Sequence, residues 1–254
     1  MMQRIAITGA AGMIGTVLSQ RLGERYELRT LDRARRSGLL RRREDTRRIA
    51  LTQTAFSGCQ TVIDLAADGS SDISWSAVTE GNIPATLGTF EGARRAGVRR
   101  VIFASSNHVT GLYERDEPYA SICAGRYEGL DPAAIPKISS EFPIRPDGPY
   151  AVGKATGEAA GRWYAEEHGL SVICLRIGTV YRDDRPKSQR GFATLLTHDD
   201  LLRLIHACIE APLEVGFGVL YGVSANTWRY WDIEEGRRLV GYEPLDDAEQ
   251  WRQA

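Results

Sequence analysis

The chain has 254 residues, of which 43% are hydrophobic and 26% are charged. This composition is that of a globular protein and excludes a disordered or fibrous chain. Its 32 Lys and Arg balance 33 Asp and Glu, for a formal net charge of −1. No overall field therefore attracts nucleic acid or an anionic membrane, and we expect neither as a partner. The length predicts one large α/β domain with at most a small appendage.

The first residues, MMQRIAITGAAG, have neither the apolar segment nor the cleavage site of a secretory signal. No apolar run approaches the roughly 18 to 20 residues that span a bilayer, so we expect a soluble, cytoplasmic protein. The cysteines show no C-x-x-C pair and no clustered His, which favours reduced, buried thiols over a metal site. They are Cys59, Cys123, Cys174 and Cys208.

Strand-like runs alternate with helical patterns over most of the chain. The predicted strands are 4–8, 27–31, 61–65, 100–104 and 171–176, and the predicted helices are 13–22, 81–96 and 150–167. Strands that alternate with helices predict a parallel sheet covered on both faces. We therefore expect an α/β protein with a doubly wound Rossmann sheet.

The last part of the chain differs in character. Its predicted elements are a loop over 181–190, a helix up to 209, a strand over 218–223 and a helix near 233–240. Thr197, with Asp200 three residues later, resembles the capping box that begins a helix. Because this segment is too short for a core of its own, we expect a Rossmann domain over 1–180 that carries the catalytic residues, with a small C-terminal substrate-side lobe over 181–254 packed on it.

A glycine-rich turn, T-G-A-A-G-M-I-G, follows the first predicted strand directly. Gly9 permits a tight turn from strand to helix, Gly12 lets the backbone approach a pyrophosphate, and Gly15 lets the helix pack closely on the strand. A dinucleotide phosphate then lies at the positive end of the helix dipole. The turn predicts cofactor contacts from Gly9, Ala11, Gly12, Met13, Ile14 and Gly15.

An acidic residue, Asp32, ends the second predicted strand, at the spacing expected of a group that binds the adenosine ribose. A carboxylate there repels a 2′-phosphate, which favours NAD over NADP. We interpret the arginines that follow as a solvated face; some NADP tolerance is the leading functional alternative. Nucleic-acid binding is the least favoured interpretation, because no aromatic residues lie between these arginines. These arginines are Arg33, Arg35, Arg36, Arg41, Arg42 and Arg43.

Tyr150 and Lys154 lie four residues apart on a predicted helix and therefore share one face. Ser106 follows the fourth predicted strand, at the edge where parallel sheets bind ligands. A cation about 4 Å from a phenolate, at an effective dielectric of about 20, contributes roughly 4 kcal/mol, which is close to the cost of ionising a free phenol at neutral pH. We expect Tyr150 as general base, Lys154 as its activator and Ser106 as the residue that holds the substrate hydroxyl.

Together these residues resemble the extended branch of the short-chain dehydrogenase/reductase superfamily, the NAD-dependent epimerases and dehydratases. The resemblance rests on the glycine turn, Asp32, Leu65-Ala66-Ala67, Ser106 and the Tyr150/Lys154 pair. Within that branch the chain is most similar to uronate dehydrogenases over essentially its whole length. The signals for this are Ala104-Ser-Ser-Asn-His108, Leu175-Arg-Ile-Gly178, Thr197-His-Asp-Asp200 and Tyr221-Gly-Val-Ser-Ala-Asn226.

This resemblance implies an NAD-dependent oxidoreductase that oxidises the C1 hydroxyl of a hexuronic acid, glucuronate or galacturonate, to its aldarolactone. It implies Tyr150 as the base and Lys154 as the anchor of the cofactor ribose, and a homo-oligomer. It also implies binding residues: Leu65, Ala66 and Ala67 for the cofactor, and Ser70, Ser106, Asn107, His108 and Thr179 for the sugar. Arg190 would bind the sugar carboxylate, to which its planar fork is suited.

Three features depart from the family pattern. Ala50-Leu51 stands where an Asp-Leu pair usually contacts adenine, so we expect weaker adenine contacts or contacts from other residues. The segment 112–149 is longer than in uronate dehydrogenases, which we expect to change the substrate pocket or an oligomer contact. Thr179 stands where Ser is typical and keeps the hydroxyl.

Several alternatives stay open. An arginine at position 190 suits a phosphate as well as a carboxylate, so glucose 6-phosphate or another aldose is an alternative substrate. A nucleotide-sugar epimerase or dehydratase is a second alternative, which the short C-terminal lobe disfavours. A non-catalytic dinucleotide sensor is a third, which the intact Ser, Tyr and Lys disfavour. The aromatic residues Trp228, Tyr230 and Trp231 fit an interface, a lid or the core equally well.

Overall fold

The computed structural model describes residues 2–33, 41–70 and 72–252, with the backbone alone for 41–43. The strands are β1 Arg4–Thr8, β2 Glu27–Asp32, β3 Arg41–Arg43, β4 Thr61–Asp64, β5 Arg100–Ser106, β6 Ser171–Ile177 and β7 Phe217–Gly222. The α-helices are α1 Met13–Arg21, α2 Ile49–Phe56, α3 Trp75–Ala77, α4 Ile83–Arg95, α5 Tyr119–Cys123, α6 Pro149–His168, α7 Gly191–Thr194, α8 His198–Glu210 and α9 Glu234–Val240. Tighter turns lie at Leu22–Glu24, Asn107–Arg115, Pro132–Ala134 and Ala248–Trp251, and a π-helical turn at Val78–Asn82.

The strands form one sheet in the order β3-β2-β1-β4-β5-β6-β7. The pairs β1–β2, β1–β4, β2–β3 and β4–β5 are parallel. The chain moves outward from β1 on one side through β2 and β3, and on the other side through β4 to β7. This reversal beside β1 is the doubly wound arrangement, so the predicted Rossmann fold is confirmed.

The central strands explain why the sequence predicts them well. Every residue of β4, β5 and β6 is buried, as expected of parallel strands covered on both faces. Their β-branched and aromatic residues suit this environment. The five strands predicted before residue 180 begin where the sequence places them and end within two residues of the predicted ends.

Helix α8 begins as its capping box predicts. Thr197 is the N-cap, and its Oγ1 accepts a hydrogen bond of 3.1 Å from the backbone N–H of Asp200. The buried side chains of the helix recur at helical spacing and form one apolar face. They include Leu201, Leu204, Ile205, Cys208 and Ile209.

The strand β3 and the helix α2 differ from the sequence-based expectation. β3 lies within the arginine run that we interpret as a solvated face; it pairs with β2 through backbone groups, which every residue type except proline supplies. Arg35 and Arg36 fall outside the described residues. α2 begins at Ile49, so Ala50-Leu51 lies in its first turn and not directly after a strand.

The chain forms two compact units. The first comprises Met1–Ser105, Gly148–Cys174 and Pro212–Gly218; the second comprises Ser106–Asp147, Leu175–Ala211 and Val219–Ala254. Both units contain residues from before and after 180, so this division does not test a functional boundary there. The domains 1–180 and 181–254 stay a prediction.

The second unit has an aromatic core. Tyr230 and Trp231 are buried within it, so they serve in packing, one of the roles the sequence left open. Trp228 is partly buried and stacks on Tyr127 with ring centroids 4.2 Å apart. This core includes residues of segment 112–149, among them Tyr119, Ile122, Ile135 and Ile138.

The four cysteines are free thiols; three are buried, and Cys123 is half-buried. In the described ranges, no helix has the length and apolar character needed to cross a bilayer. Those ranges also contain no cluster of three His, Cys, Asp or Glu residues that could hold a metal ion.

Candidate active site

The glycine turn between β1 and α1 brings the backbone close to the loop after β4. Gly9 has φ +64°, and a Cβ there would lie 2.6 Å from the carbonyl oxygen of Leu65. A Cβ on Gly15 would lie 2.4 Å from the carbonyl oxygen of Gly9. Both distances are far below any van der Waals contact, so the turn closes only around glycine.

The N-terminus of α1 is open to an anion. Gly12 is the N-cap and supplies no side chain to the unpaired N–H groups of the first turn. Those N–H groups and the helix dipole favour a negative group in front of the helix. This arrangement fits the pyrophosphate of a dinucleotide, as the sequence predicts.

Asp32 holds the turn from the end of β2. Its Oδ2 accepts a hydrogen bond of 2.7 Å from the backbone N–H of Ala11. Asp32 also lines a cavity of about 290 Å³ at the carboxyl ends of β1, β2 and β4. Seven of the predicted cofactor-binding residues line this cavity, namely Gly9, Ala11, Gly12, Asp32, Leu65, Ala66 and Ala67.

The other predicted cofactor-binding residues lie outside the cavity lining. Met13, Ile14 and Gly15 form the first turn of α1, and Tyr150 and Lys154 belong to α6. Several other lining residues were not predicted as cofactor contacts. Leu31 precedes Asp32 in the chain, and Arg33, which belongs to the arginine run, follows it. The rest are Glu44, Asp45, Thr46, Arg47, Gly81, Asn82 and Ala85.

Residues other than Ala50 and Leu51 line the cavity beyond Asp32. Ala50 is exposed on α2, whereas Asp45 and Thr46 follow β3 and line the cavity. Arg47 donates to both carboxylate oxygens of Asp45, at 2.6 to 3.0 Å through Nε and Nη2. These bonds lower the pKa of the Asp45 carboxyl. Asp45 and Thr46 are therefore available to contact adenine in place of Ala50 and Leu51.

A buried carboxyl group ties the glycine turn to the loop after β4. Asp64 Oδ1 accepts hydrogen bonds from Thr8 Oγ1 at 2.6 Å and Thr89 Oγ1 at 3.2 Å, and from the backbone N–H of Ala66 at 3.3 Å. Thr8 Oγ1 in turn accepts from the backbone N–H of Leu65 at 3.1 Å. Burial raises the pKa of Asp64 above its ordinary value, in spite of these bonds. No local sequence signal marks this cluster, because Thr8, Asp64 and Thr89 are far apart in the chain.

Tyr150 and Lys154 lie one turn apart on α6, as predicted. The Lys154 side chain is buried, and its Nζ donates a hydrogen bond of 2.6 Å to the backbone carbonyl of Ala104 in β5. The same ammonium lies 5.6 Å from the centroid of the Tyr150 ring. Ser105 Oγ donates to Glu158 Oε1 at 2.6 Å, one turn further along α6. These two bonds fix the helix against β5 and place a positive charge beside the phenol ring.

The loop after β4 also approaches the phenol. A Cβ built on Gly69 would lie 4.0 Å from the Tyr150 hydroxyl oxygen. The next residue is Ser70, a predicted sugar contact, which is exposed and donates from Oγ to Asp68 Oδ1 at 2.6 Å. Asp68 and Asn82 are joined by two hydrogen bonds that hold this loop against the start of α4.

Ser106, Asn107 and His108 follow one another where β5 ends, in the second unit. Ser106 Oγ caps the following turn by accepting from the backbone N–H of His108 at 3.2 Å, so the hydroxyl has a structural role that the sequence did not indicate. Asn107 is buried. His108 Nδ1 lies 2.6 Å from Asp147 Oδ2, which fixes the orientation of the ring.

Arg190 and Thr179 lie together, at 3.2 Å between Nη1 and Oγ1. The guanidinium also makes a bidentate ion pair that the sequence did not reveal. Its Nε and Nη2 donate to the two carboxylate oxygens of Glu114 at 2.6 and 2.7 Å. Tyr230 donates to the same carboxylate at 2.8 Å. Arg190 is therefore charged, oriented and already engaged with an anion.

Comparison with known families gives a match over residues 5–199 to the NAD dependent epimerase/dehydratase family. The chain belongs to this family. The match spans the glycine turn, both of the α6 residues above and Thr197, the N-cap of α8. It confirms the predictions of an extended short-chain dehydrogenase/reductase and of NAD as cofactor.

Three curated relatives align with almost the whole of this chain. One is an NAD-dependent glucose-6-phosphate dehydrogenase of Haloferax volcanii, 32% identical over 98% of this chain and 95% of the relative. The second, an L-arabinose 1-dehydrogenase (NAD(P)(+)) of the same organism, is 34% identical over 97% and 98%. The third, a uronate dehydrogenase of Pseudomonas putida, is 32% identical over 99% and 87%.

Two solved structures of the family are similar throughout. A mutated uronate dehydrogenase has a TM-score of 0.85 at 32% identity and covers 99% of this chain and 84% of its own. A mutant uronate dehydrogenase from Agrobacterium tumefaciens, complexed with NAD, has a TM-score of 0.82 at 29% identity, covering 99% and 88%. These similarities confirm the predicted fold and its likeness to uronate dehydrogenases.

Proposed function

We propose that this protein oxidises the C1 hydroxyl of a cyclic aldose to a lactone with NAD. The observation that carries the proposal is the pairing of Tyr150 with a buried ammonium, Lys154, on a helix approached by the loop after β4, which also lines the cavity around the glycine turn. A phenol next to a fixed positive charge is suited to remove a proton from a hydroxyl group. The activities named for the relatives, all sugar dehydrogenases, support the same reaction class.

The residues around the cavity fit a dinucleotide. The glycine turn and the open N-terminus of α1 would hold the pyrophosphate, and Asp32 would bind the adenosine ribose. Asp45 and Thr46 would face the adenine end. When bound, NAD supplies the acceptor for the hydride that leaves C1. Arg33, which lines the cavity beside Asp32, is the residue of the arginine run that would permit some NADP tolerance.

The side chains have separate roles in the proposed reaction. Tyr150 takes the proton of the C1 hydroxyl, and Lys154 stabilises the phenolate that does so. Ser106 holds the same hydroxyl in position. Ser70, Asn107, His108 and Thr179 orient the rest of the sugar, with His108 held in place by Asp147.

The group at C5 of the sugar distinguishes the candidate substrates. The sequence favours a hexuronic acid, which carries a carboxylate there, with glucose 6-phosphate or another aldose as alternatives. Arg190 is the residue proposed to meet this group. A neutral aldose is favoured by one observation, the ion pair that already engages Arg190.

A substrate panel with NAD and NADP tests the proposal. We expect NADH formation, followed by absorbance, with at least one aldose, uronate or aldose phosphate. Tyr150→Phe should lose several orders of magnitude in kcat while still binding NAD, since only the base is removed. A panel that gives no NADH overturns the dehydrogenase assignment. Turnover of a nucleotide sugar without net NADH, on protein that retains NAD through purification, would support an epimerase or dehydratase instead.

The sequence-based expectations of a cytoplasmic location and a homo-oligomer stay predictions. Light scattering on a gel-filtration peak measures the mass of the assembly directly.

A further inference from the structure

The carboxylate of Glu114 occupies the side of Arg190 that an anionic sugar needs. A guanidinium binds a carboxylate or phosphate most strongly when two parallel N–H groups meet two oxygens. In this chain those two groups, Nε and Nη2, donate to Glu114 at 2.6 and 2.7 Å. A third donor, on Nη1, is bonded to Thr179 at 3.2 Å. Three of the five N–H donors of Arg190 are thus engaged within the protein.

The pair is held in place by its neighbours. Only 27% of the Arg190 side chain and 17% of the Glu114 side chain are exposed. Tyr230, buried in the aromatic core, donates to Glu114 at 2.8 Å. Thr179 Oγ1 lies 2.8 Å from Thr194 Oγ1, which fixes the other partner of the guanidinium. Releasing Arg190 would therefore leave the largely buried carboxylate of Glu114 without its cationic partner.

The charges of the cluster are complementary. Burial lowers the pKa of the Arg190 guanidinium, but the hydrogen bonds and charge of Glu114 more than offset this, so that its pKa is raised overall. Burial and the same carboxylate raise the pKa of Tyr230 well above its usual value. The phenol thus stays a neutral donor, and Arg190 with Glu114 forms a pair of zero net charge.

We propose that Glu114 makes this enzyme selective for a neutral aldose over a hexuronate or a sugar phosphate. This inference rests on the proposed function, in which Arg190 faces the group at C5 of the sugar. An anionic group at C5 would have to displace Glu114 or lie beside its carboxylate. A hydroxymethyl group or a hydrogen atom at C5 meets no such repulsion, and a hydroxymethyl group can accept a bond from a remaining Arg190 donor.

Three sugars with the same ring stereochemistry separate charge from shape. L-Arabinose, D-galactose and D-galacturonate differ only in the C5 substituent, which is hydrogen, hydroxymethyl or carboxylate. For the wild type we expect kcat/KM with the better neutral sugar to exceed that with galacturonate at least tenfold. Glu114→Gln should raise the galacturonate-to-galactose ratio at least 30-fold, because it removes the competing charge. Glu114→Asp, which keeps the charge, should retain the preference for neutral sugars.

A matched control is available two residues along the chain. Asp116 forms an ion pair with Arg145 at the surface, so Asp116→Asn removes one carboxylate from an arginine without touching Arg190. The galacturonate-to-galactose ratio of kcat/KM for Asp116→Asn should stay within twofold of the wild-type ratio. Thermal unfolding of each variant shows whether the cluster still folds. A wild type that prefers galacturonate, or a Glu114→Gln ratio within threefold of wild type, overturns the inference.

Binding separates this inference from the proposed reaction. Calorimetric titration of the NADH-bound protein with galacturonate and galactose needs no turnover. Glu114→Gln should bind galacturonate at least tenfold more tightly than the wild type does, with galactose unchanged. If no sugar is oxidised but this binding difference is found, the proposed reaction fails and the role of Glu114 stands. If sugars are oxidised but Glu114→Gln binds galacturonate no more tightly than the wild type, the proposed reaction stands and the role of Glu114 fails.

Discussion

Replacing Lys154 by Met removes the positive charge beside Tyr150 and keeps the length of the side chain. The ammonium lies 5.6 Å from the centroid of the phenol ring. With an effective dielectric of about 20, that separation corresponds to about 3 kcal/mol of phenolate stabilisation. Since each 1.36 kcal/mol is a factor of ten in rate, we expect kcat to fall about 150-fold. Initial rates of NADH formation with the best substrate of the panel measure this directly.

Lys187→Met is the matched control, because Lys187 is exposed and paired only at the surface with Asp183; its kcat should match the wild type. Lys154→Met also leaves the buried carbonyl of Ala104 without its 2.6 Å hydrogen bond, at a cost of about 1 to 3 kcal/mol in unfolding free energy. Circular dichroism and urea unfolding therefore accompany the rates. A folded variant that loses less than tenfold in kcat would refute the electrostatic role of this lysine.

Substitutions at Asp32, Gly9 and Asp64 test the cofactor side of the site. Asp32→Asn keeps an acceptor for Ala11 but removes the charge, so the NAD-to-NADP ratio of kcat/KM should fall at least tenfold; an unchanged ratio contradicts the role given to the carboxylate. Gly9 has φ +64°, and a Cβ added there would lie 2.6 Å from a carbonyl oxygen, so Gly9→Ala should weaken NAD binding more than tenfold, as measured by calorimetry. Gly216→Ala is the control, because a Cβ there meets nothing within 4 Å, and it should leave NAD binding unchanged. Because burial raises the pKa of Asp64 in the folded state, its stabilising neutral form is fully present below the ordinary carboxyl pKa, and stability is lost as pH rises through the folded pKa. Asp64→Asn should therefore flatten the decline of urea-unfolding stability towards high pH, and an unaltered slope would show that Asp64 is not responsible; Asp64→Ala should cost about 2 kcal/mol at low pH and less as pH rises through the folded pKa of Asp64.

Local signals predicted the parts of this protein that local chemistry determines. The glycine turn, the capping box at Thr197 and the β-branched strands follow from residues within a few positions of one another. The Tyr150 and Lys154 pair is also local, since both residues share one helical turn. These features agree with the structure because no distant residue is needed to form them.

Long-range contacts account for what the sequence did not show. Arg190 and Glu114 are 76 positions apart, and Tyr230 is 116 positions from Glu114. Each is an ordinary charged or aromatic residue in a loop or core pattern, and nothing nearby marks the partner. The edge strand β3 was missed for another reason: its arginines match a surface pattern, while its pairing uses the backbone alone.

The contact between the glycine turn and the loop after β4 limits how this enzyme can be engineered. Gly9 and Leu65 leave no room for a side chain between them, so that wall of the cavity tolerates little variation. Other lining residues, among them Arg33, Glu44 and Arg47, line the cavity with side chains that can be exchanged. Libraries intended to switch the coenzyme are best restricted to these residues, with the glycines left as they are.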